Sequence, residues 1–222
     1  MYKSSLSHII SKNLLLLLIL VLVVSSAVTA QNKDFKTMKD TAVFKQKLLE
    51  KSKATNSIES NFTQEKNLSM LSEKIISKGH FYFKKTNLLR WEYLSPTSYL
   101  IVINKDKIFI KDGKKVSKYD TNSNKLFKGI NDMMLNSVQG NVLNHTDFKI
   151  NYFENDTYYL VEMTPRAKEM KSYIKTISMY FDKTDYTVSK IKTVELSDDY
   201  TSIEFSNKKL NQAIADSQFS VK

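Results

Sequence analysis

The chain has 222 residues, with 34 lysines and arginines against 23 aspartates and glutamates, and a formal net charge of +11. It contains no cysteine, 4 glycines and 2 prolines, which excludes a disulfide scaffold, a thiolate metal site and a collagen-like chain. Since Arg90 and Arg166 are the only arginines, base-specific recognition is disfavoured, and we expect no nucleic-acid partner.

Residues 1–30 have the pattern of a secretory signal peptide. Lys3 and Lys12 make a positive start, and Leu14 to Val24 are all apolar. As a helix this run spans about 16 Å, half of the ~30 Å hydrocarbon core of a bilayer, which favours a cleaved signal over a membrane anchor. Small residues follow, and we expect cleavage after Ala30 and export of the remainder.

Residues 31–222 are predicted to form one domain, because no Gly/Ser-rich or Pro-rich linker and no internal repeat interrupts them. A first helix is expected over residues 34–54. Its apolar residues at helical spacing are Phe35, Met38, Ala42 and Leu49, with Phe44 and Leu48 as a second apolar edge.

From Ser57 onward, β-branched and aromatic residues between short turns predict strands. The first group is Ile58 to Gln64, Ile75 to Lys84, Leu88 to Tyr93, Tyr99 to Asn104, Lys107 to Lys111 and Val116 to Tyr119. The second group is Phe148 to Phe153, Tyr158 to Met163, Tyr173 to Phe181, Val188 to Leu196 and Tyr200 to Ser206. A last helical turn is expected around Leu210 to Ala215. About eleven hairpin-connected strands indicate one curved antiparallel sheet.

A second helix is predicted between the two groups of strands. Its broad apolar face consists of Leu126, Phe127, Ile130, Met133, Met134 and Val138, and Gly140 suits its end. The strands Tyr99 to Ile103 and Ile108 to Ile110 are apolar on both faces, so both faces of the sheet need an apolar cover there. Two amphipathic helices over a curved sheet would supply one, and a filled barrel core is the alternative.

Residues that carry enzyme chemistry are scarce. After removal of the signal only His80 and His145 remain, in unrelated contexts, and no HExxH helix, GxSxG turn or phosphate-binding glycine loop occurs. We therefore expect no enzyme activity, no catalytic residue, no metal and no cofactor.

Several segments together resemble one family, the periplasmic outer-membrane lipoprotein carriers, or LolA-like proteins. The matching segments are Phe62-Thr63-Gln64, Gly79 to Tyr93 with Asn87-Leu88 and Trp91, Pro96, Met163-Thr164-Pro165, Asp199 to Phe205 and Leu210 to Phe219. The resemblance covers nearly all of residues 31–222. It implies a mainly β (α+β) fold, an incomplete antiparallel barrel with helices covering its open side.

The resemblance also implies a function. Such a protein is a monomeric periplasmic chaperone that binds the acyl chains of lipoproteins in a hydrophobic cavity and carries them from the inner to the outer membrane. Its implied partners are acylated lipoproteins and an inner-membrane lipoprotein-releasing ABC transporter, with an outer-membrane lipoprotein receptor as a further candidate. The alternative is a periplasmic binder or sensor of another lipid, a phospholipid or glycolipid, on the same fold.

The residues expected to line the cavity and lid are Leu89, Trp91, Leu100, Val102, Leu126, Phe127, Ile130, Met133, Met134, Val138, Met163 and Met179. Lys85 and Arg90 are expected to act in lid closure or handover. Lys85-Thr86 stands where well-studied members carry a basic-Pro pair.

Overall fold

The computed structural model describes residues 35–85, 87–120 and 147–221. In this part of the chain, twelve strands form one antiparallel sheet, as the mainly β prediction requires. The strands are β1 Lys36–Thr37, β2 Ser57–Asn67, β3 Ile75–Lys84, β4 Leu88–Ser95, β5 Tyr99–Asn104, β6 Lys107–Asp112, β7 Lys115–Asp120, β8 Phe148–Glu154, β9 Tyr158–Pro165, β10 Ile174–Asp182, β11 Val188–Glu195 and β12 Tyr200–Leu210. The helices are α1 Thr41–Ala54, α2 Lys168–Lys171 and a 3₁₀ helix Asp216–Phe219.

The strand order across the sheet is β1-β8-β9-β10-β11-β12-β2-β3-β4-β5-β6-β7. Hairpins build two halves, β2 to β7 and β8 to β12, and the pairing of β12 with β2 joins them. The sheet ends at β1 on one side and at β7 on the other, so among the described strands it does not close.

The prediction of a helix over residues 34–54 is wrong at its start. Lys36 and Thr37 pair with β8, and the Met38 amide donates to the carbonyl of Tyr152 at 3.0 Å. Asp40 then caps α1, because its carboxylate accepts from the Val43 amide at 2.9 Å.

The buried side of α1 is the edge made by Phe44 and Leu48, which are only 2% and 3% exposed. Leu49, predicted on the main apolar face, is 41% exposed, so that prediction is also wrong. Spacing alone could not tell which of two apolar edges the sheet would cover.

The last helical turn is also displaced from its predicted position. β12 extends to Leu210, and the helical turn begins at Asp216. A register shift between Ser206 and Lys209 lets β12 stay paired to β2 over this extra length. None of the helices within the described residues is long and apolar enough to cross a membrane.

Candidate functional site

One face of the sheet is apolar across both halves, and we call it the helix face because α1 packs on it. The cross-strand register runs through Val161, Met179, Ile191 and Ile203, which therefore project on the same side. Two residues after Ile203 in β12, and so on this same side, Phe205 pairs with Phe62 in β2.

The half of the helix face beneath α1 forms the helix cluster. Its buried residues are Met38, Phe44, Leu48, Val161, Met163, Met179 and Phe181. The Phe44 ring lies 4.8 Å from that of Tyr159 and 5.7 Å from that of Phe181, between centroids. These contacts fix α1 to the sheet through one aromatic side chain.

Two tyrosines border the helix cluster with their hydroxyls 3.4 Å apart, Tyr159 and Tyr186. The hydrogen bond with Tyr186, followed by burial, raises the pKa of Tyr159 to about 12. The Tyr159 hydroxyl is therefore neutral at physiological pH and adds no charge to this part of the face.

The other half of the helix face holds the aromatic cluster, centred on Trp91. The indole centroid lies 5.2 Å from Phe62, 5.4 Å from Phe81 and 5.9 Å from Phe205. Aliphatic side chains extend the cluster, and those that are buried are Ile58, Leu89, Ile103 and Ile108. The cluster thus combines flat rings with branched chains on strands β2 to β6 and β12.

Two polar atoms are buried in the aromatic cluster, Ser60 Oγ and Trp91 Nε1. Neither has a hydrogen-bond partner among the described residues. Phe81 of β3 pairs with Ser60 of β2 on one side and with Trp91 of β4 on the other. Ser60 and Trp91 are therefore both direct neighbours of Phe81 in the sheet. Nearby, the Tyr93 hydroxyl donates to Gln64 Oε1 at 3.0 Å, and burial raises the pKa of Tyr93.

The opposite face of the sheet is covered over β4 and β5 by residues 211–221, which we call the C-terminal strap. Ile214 and Phe219 of the strap are buried against Leu88, Leu100 and Val102. This arrangement explains why β5 and β6 carry apolar residues on both faces, because the aromatic cluster covers one face and the strap covers the other.

The structure divides the predicted site residues between these two faces. Leu89 and Trp91 lie in the aromatic cluster, and Met163 and Met179 in the helix cluster. Leu100 and Val102 lie beneath the strap, away from those four. The predicted residues Leu126, Phe127, Ile130, Met133, Met134 and Val138 lie outside the described residues.

Arg90, predicted for lid closure or handover, holds the strap. Its guanidinium contacts Glu92 through two hydrogen bonds, 2.7 Å and 3.0 Å long. It also donates to the carbonyls of Gln218 and Ser220 at 3.3 Å and 3.4 Å. Asn104 adds a bond to the Phe219 carbonyl at 3.2 Å. A polar cleft of about 380 Å³ lies beside this contact, between the strap and β4 to β6.

Lys85, the other residue predicted for the lid, contacts the end of α1. Its ammonium donates to the carbonyl of Lys53, and its backbone amide donates to the Asn56 carbonyl at 2.8 Å. A cation at the C-terminal end of a helix interacts favourably with the carbonyls left without helical partners. Lys85 therefore ties α1 to the end of β3.

Sequence reasoning did not assign several residues of the helix face to the site, among them Phe62, Phe81 and Phe205. The signal that could have found them is the alternation of side chains along each strand. Once the pairing of β3 with β4 is known, Phe81 lies on the same face as Phe83, Leu89 and Trp91. Within residues 35–85, 87–120 and 147–221, no group of three or more histidines and carboxylates could hold a metal ion.

The comparisons with known proteins agree with this fold. A family model described as outer membrane lipoprotein carrier protein LolA matches residues 52–222. No curated protein sequence matches the chain. The crystal structure of MucB, a protein also solved with MucA from Pseudomonas aeruginosa, has 14% identity and a TM-score of 0.51, over 82% of this chain and 62% of MucB.

Two further solved structures are similar over most of their length. The LolA superfamily protein NE2245 from Nitrosomonas europaea has 10% identity and a TM-score of 0.40, over 79% of this chain and 97% of that one. The lipoprotein LppX from Mycobacterium tuberculosis has 9% identity and a TM-score of 0.45, over 79% of this chain and 99% of that one. At such identities a likeness concerns the fold alone.

Proposed function

The chain belongs to the LolA family of outer membrane lipoprotein carrier proteins, and from this membership we propose that it binds lipoprotein acyl chains on the helix face and carries them between membranes. The family resemblance read from the sequence is thereby confirmed. The family is one of carriers, so the prediction that the chain is not an enzyme is confirmed as well.

The observation that carries the proposal is the extent of the apolar helix face. The helix cluster and the aromatic cluster lie on one side of a single sheet and reach from β8 to β6. An acyl chain of 16 carbons left in water costs on the order of 12 kcal/mol, at about 0.8 kcal/mol per CH₂. A carrier has to offset most of that cost, and a broad apolar face is what can do so.

Met163 and Met179 suit such a cargo. Both are 2% exposed, and they lie on the adjacent strands β9 and β10 of the helix face. Methionine is unbranched and polarizable, so it can change rotamer as an irregular chain enters or leaves. We propose that these two residues, with Leu89 and Trp91, contact the cargo.

We propose the remaining features of a carrier from the same family membership. The protein works in the periplasm after cleavage behind Ala30, and it receives lipoproteins from an inner-membrane ABC transporter. An outer-membrane lipoprotein receptor is the candidate acceptor. Lys85, through its contact with α1, is placed to respond when that helix moves, which supports a role in opening the site.

A second candidate function is binding of another lipid, a phospholipid or glycolipid. This cargo would fit the helix face as well as a lipoprotein does, because two polar atoms of the aromatic cluster, Ser60 Oγ and Trp91 Nε1, are buried without partners among the described residues. Both can donate a hydrogen bond to an ester carbonyl, which phospholipids carry as well as the diacylglyceryl group of lipoproteins.

Native mass spectrometry of the protein purified from its own host tests the proposal. A bound acylated polypeptide supports the carrier function, phospholipid or glycolipid alone supports the second candidate, and protein without any lipid contradicts both. Met179→Ala should lower the fraction of protein that carries lipid. Leu100→Ala is the matched control, because it shortens another buried side chain, beneath the strap, and should leave that fraction unchanged.

Depletion in the host separates the two candidates in the cell. Loss of a lipoprotein carrier should make lipoproteins accumulate in the inner membrane. Normal lipoprotein sorting after depletion would exclude the carrier function and leave the second candidate.

A further inference from the structure

Exposed apolar side chains are concentrated at one end of the strands. Met70 is 87% exposed, Tyr173 74%, Leu196 57%, Leu94 52% and Leu71 46%. Isolated exposed apolar residues are ordinary on soluble proteins, but a contiguous set marks a contact surface. We call these five residues the apolar rim.

The parts of the apolar rim are held together by hydrogen bonds between turns. The backbone amide of Ser69, next to Met70, donates to Asp199 Oδ1 at 2.6 Å in the β11–β12 turn. In the same region the Leu196 amide donates to the Tyr173 carbonyl at 3.2 Å. Three separate chain segments thus present their apolar side chains at one end of the sheet.

The apolar rim continues into β3 and β4. Ile75 and Ile76, the first residues of β3, are 41% and 42% exposed. Leu94 lies one residue before Ser95, which pairs with Lys78 of β3. The side chains therefore form a band that follows the end of the sheet from β10 to β4.

Basic residues accompany this band. The connection from β9 to β10, residues 166–173, contains three basic residues and one acidic residue, and Arg166, Lys168 and Lys171 are exposed in it. Two acidic residues near the rim are engaged in ion pairs, Asp198 with Lys175 at 2.6 Å and Glu65 with Lys74 at 2.8 Å, and Asp199 accepts from the Ser69 amide. The positive excess at this end of the sheet lies in the connection from β9 to β10, and the chain as a whole is also positive.

We propose that the apolar rim docks on the surface of a lipid bilayer that contains anionic lipid. Four of its five apolar side chains stand on connections between strands, and Leu94 lies near the end of β4, which suits insertion between headgroups. The exposed Tyr173 is of the residue type enriched at membrane–water interfaces, and lysines beside it match anionic headgroups. The proposal does not depend on which lipid or lipoprotein the helix face carries.

A single fluorescent label tests the docking. The chain has no cysteine, so Met70→Cys provides one attachment site for an environment-sensitive NBD group. On vesicles of phosphatidylethanolamine and phosphatidylglycerol we expect a blue shift and an intensity increase, lost in high salt and on pure phosphatidylcholine. Because the label reports one side chain, the readout does not depend on the apolar run of residues 14–24.

The control is the same label at Val43, which is 45% exposed on α1 and lies outside the rim. Equal responses at the two positions, or none at Met70, would overturn the proposal. A response at Met70 that grows with protein concentration in the absence of vesicles would also overturn it, because it would identify a second copy of the chain as the occupant.

Loss of the apolar side chains provides a second measurement. Met70→Ser with Leu71→Ser should weaken sedimentation with the anionic vesicles by about tenfold, since two partly inserted apolar side chains are removed. Val43→Ser with Leu49→Ser removes as many exposed apolar side chains from α1 and should change binding by less than about twofold. Equal weakening by both pairs would contradict docking through the rim.

Discussion

The ring of Phe62 occupies the space above Gly79, the residue paired with it between β2 and β3. A Cβ at Gly79 would lie 2.7 Å from the Phe62 ring and 1.9 Å from the carbonyl oxygen of Glu92. The aromatic cluster therefore depends on a strand position without a side chain, where the ring rests on the backbone.

Gly79→Ala should lower the free energy of unfolding by about 3 kcal/mol, because the carbonyl of Glu92 cannot move aside without disturbing the sheet. Urea denaturation measures the loss. Gly113→Ala is the control: its Cβ would meet nothing within 4 Å, and its φ of 56° should cost only about 1 kcal/mol. Equal losses for the two variants would contradict the packing described for Phe62.

Arg90→Ala should release the C-terminal strap. The side chains of Arg90 and Glu92 are 15% and 25% exposed, so removing the guanidinium leaves a partly buried carboxylate and two strap carbonyls unpaired. We expect a loss of about 2 kcal/mol and faster hydrogen exchange in residues 214–221.

The matched control for the strap is Lys209→Ala, which breaks the more exposed pair with Glu59 and should cost about 0.5 kcal/mol. Unchanged exchange in the strap of the Arg90 variant would mean that apolar packing of Phe219 alone holds it.

Part of the loss of folding stability in acid should come from protonation of Glu154. The hydrogen bond from Lys183 Nζ, 2.8 Å long, holds the pKa of Glu154 below its ordinary value of 4.5. A carboxyl with a lowered folded-state pKa stabilises the folded state above its ordinary value, and this stabilisation disappears as the pH falls through the folded-state pKa.

Glu154→Gln should therefore cost about 0.5 kcal/mol near pH 7 and nothing near pH 2, because the pair is partly screened by solvent. Urea denaturation at several pH values provides the measurement. Adding Lys183→Met to Glu154→Gln should remove little pH dependence beyond that of the single variant. A constant difference across the pH range would exclude the carboxylate as the source.

Trp91 offers a direct report on the helix face, since it is the only tryptophan and is 9% exposed. A fatty acid with a nitroxide near its methyl end should quench Trp91 emission strongly at micromolar concentrations if acyl chains reach the aromatic cluster. A water-soluble nitroxide without an acyl chain is the control and should quench weakly. Equal quenching by both probes would contradict binding at this cluster.

The strands were predictable because each combines β-branched and aromatic residues with a clear turn signal. The extent of β3 from Ile75 to Lys84 and of β5 from Tyr99 to Asn104 agrees with the sequence prediction. Local pattern suffices here, since hairpins pair neighbouring segments and the turns fix where each strand stops.

The arrangement of the site was less predictable because it depends on pairing between distant segments. Leu100 and Val102 have the composition of cavity residues, yet they face the strap, and one step along the strand would have turned them to the helix face. In the same way, Lys36 and Thr37 form a strand only because β8 is there to accept them. Neither relation is visible in a local window of sequence.

The pairing of β2 with β12 has a consequence for how the protein acquires its structure. The Asn56 amide donates to the side chain of Asn211, 155 residues away, and no other described strand pair joins the two halves of the sheet. Closing so large a loop is entropically costly and slows folding. While the chain is being synthesised, β2 has no partner on its β12 side until nearly all residues have emerged. The topology thus favours a long-lived unfolded state, the form in which a polypeptide can be threaded through a narrow translocation pore.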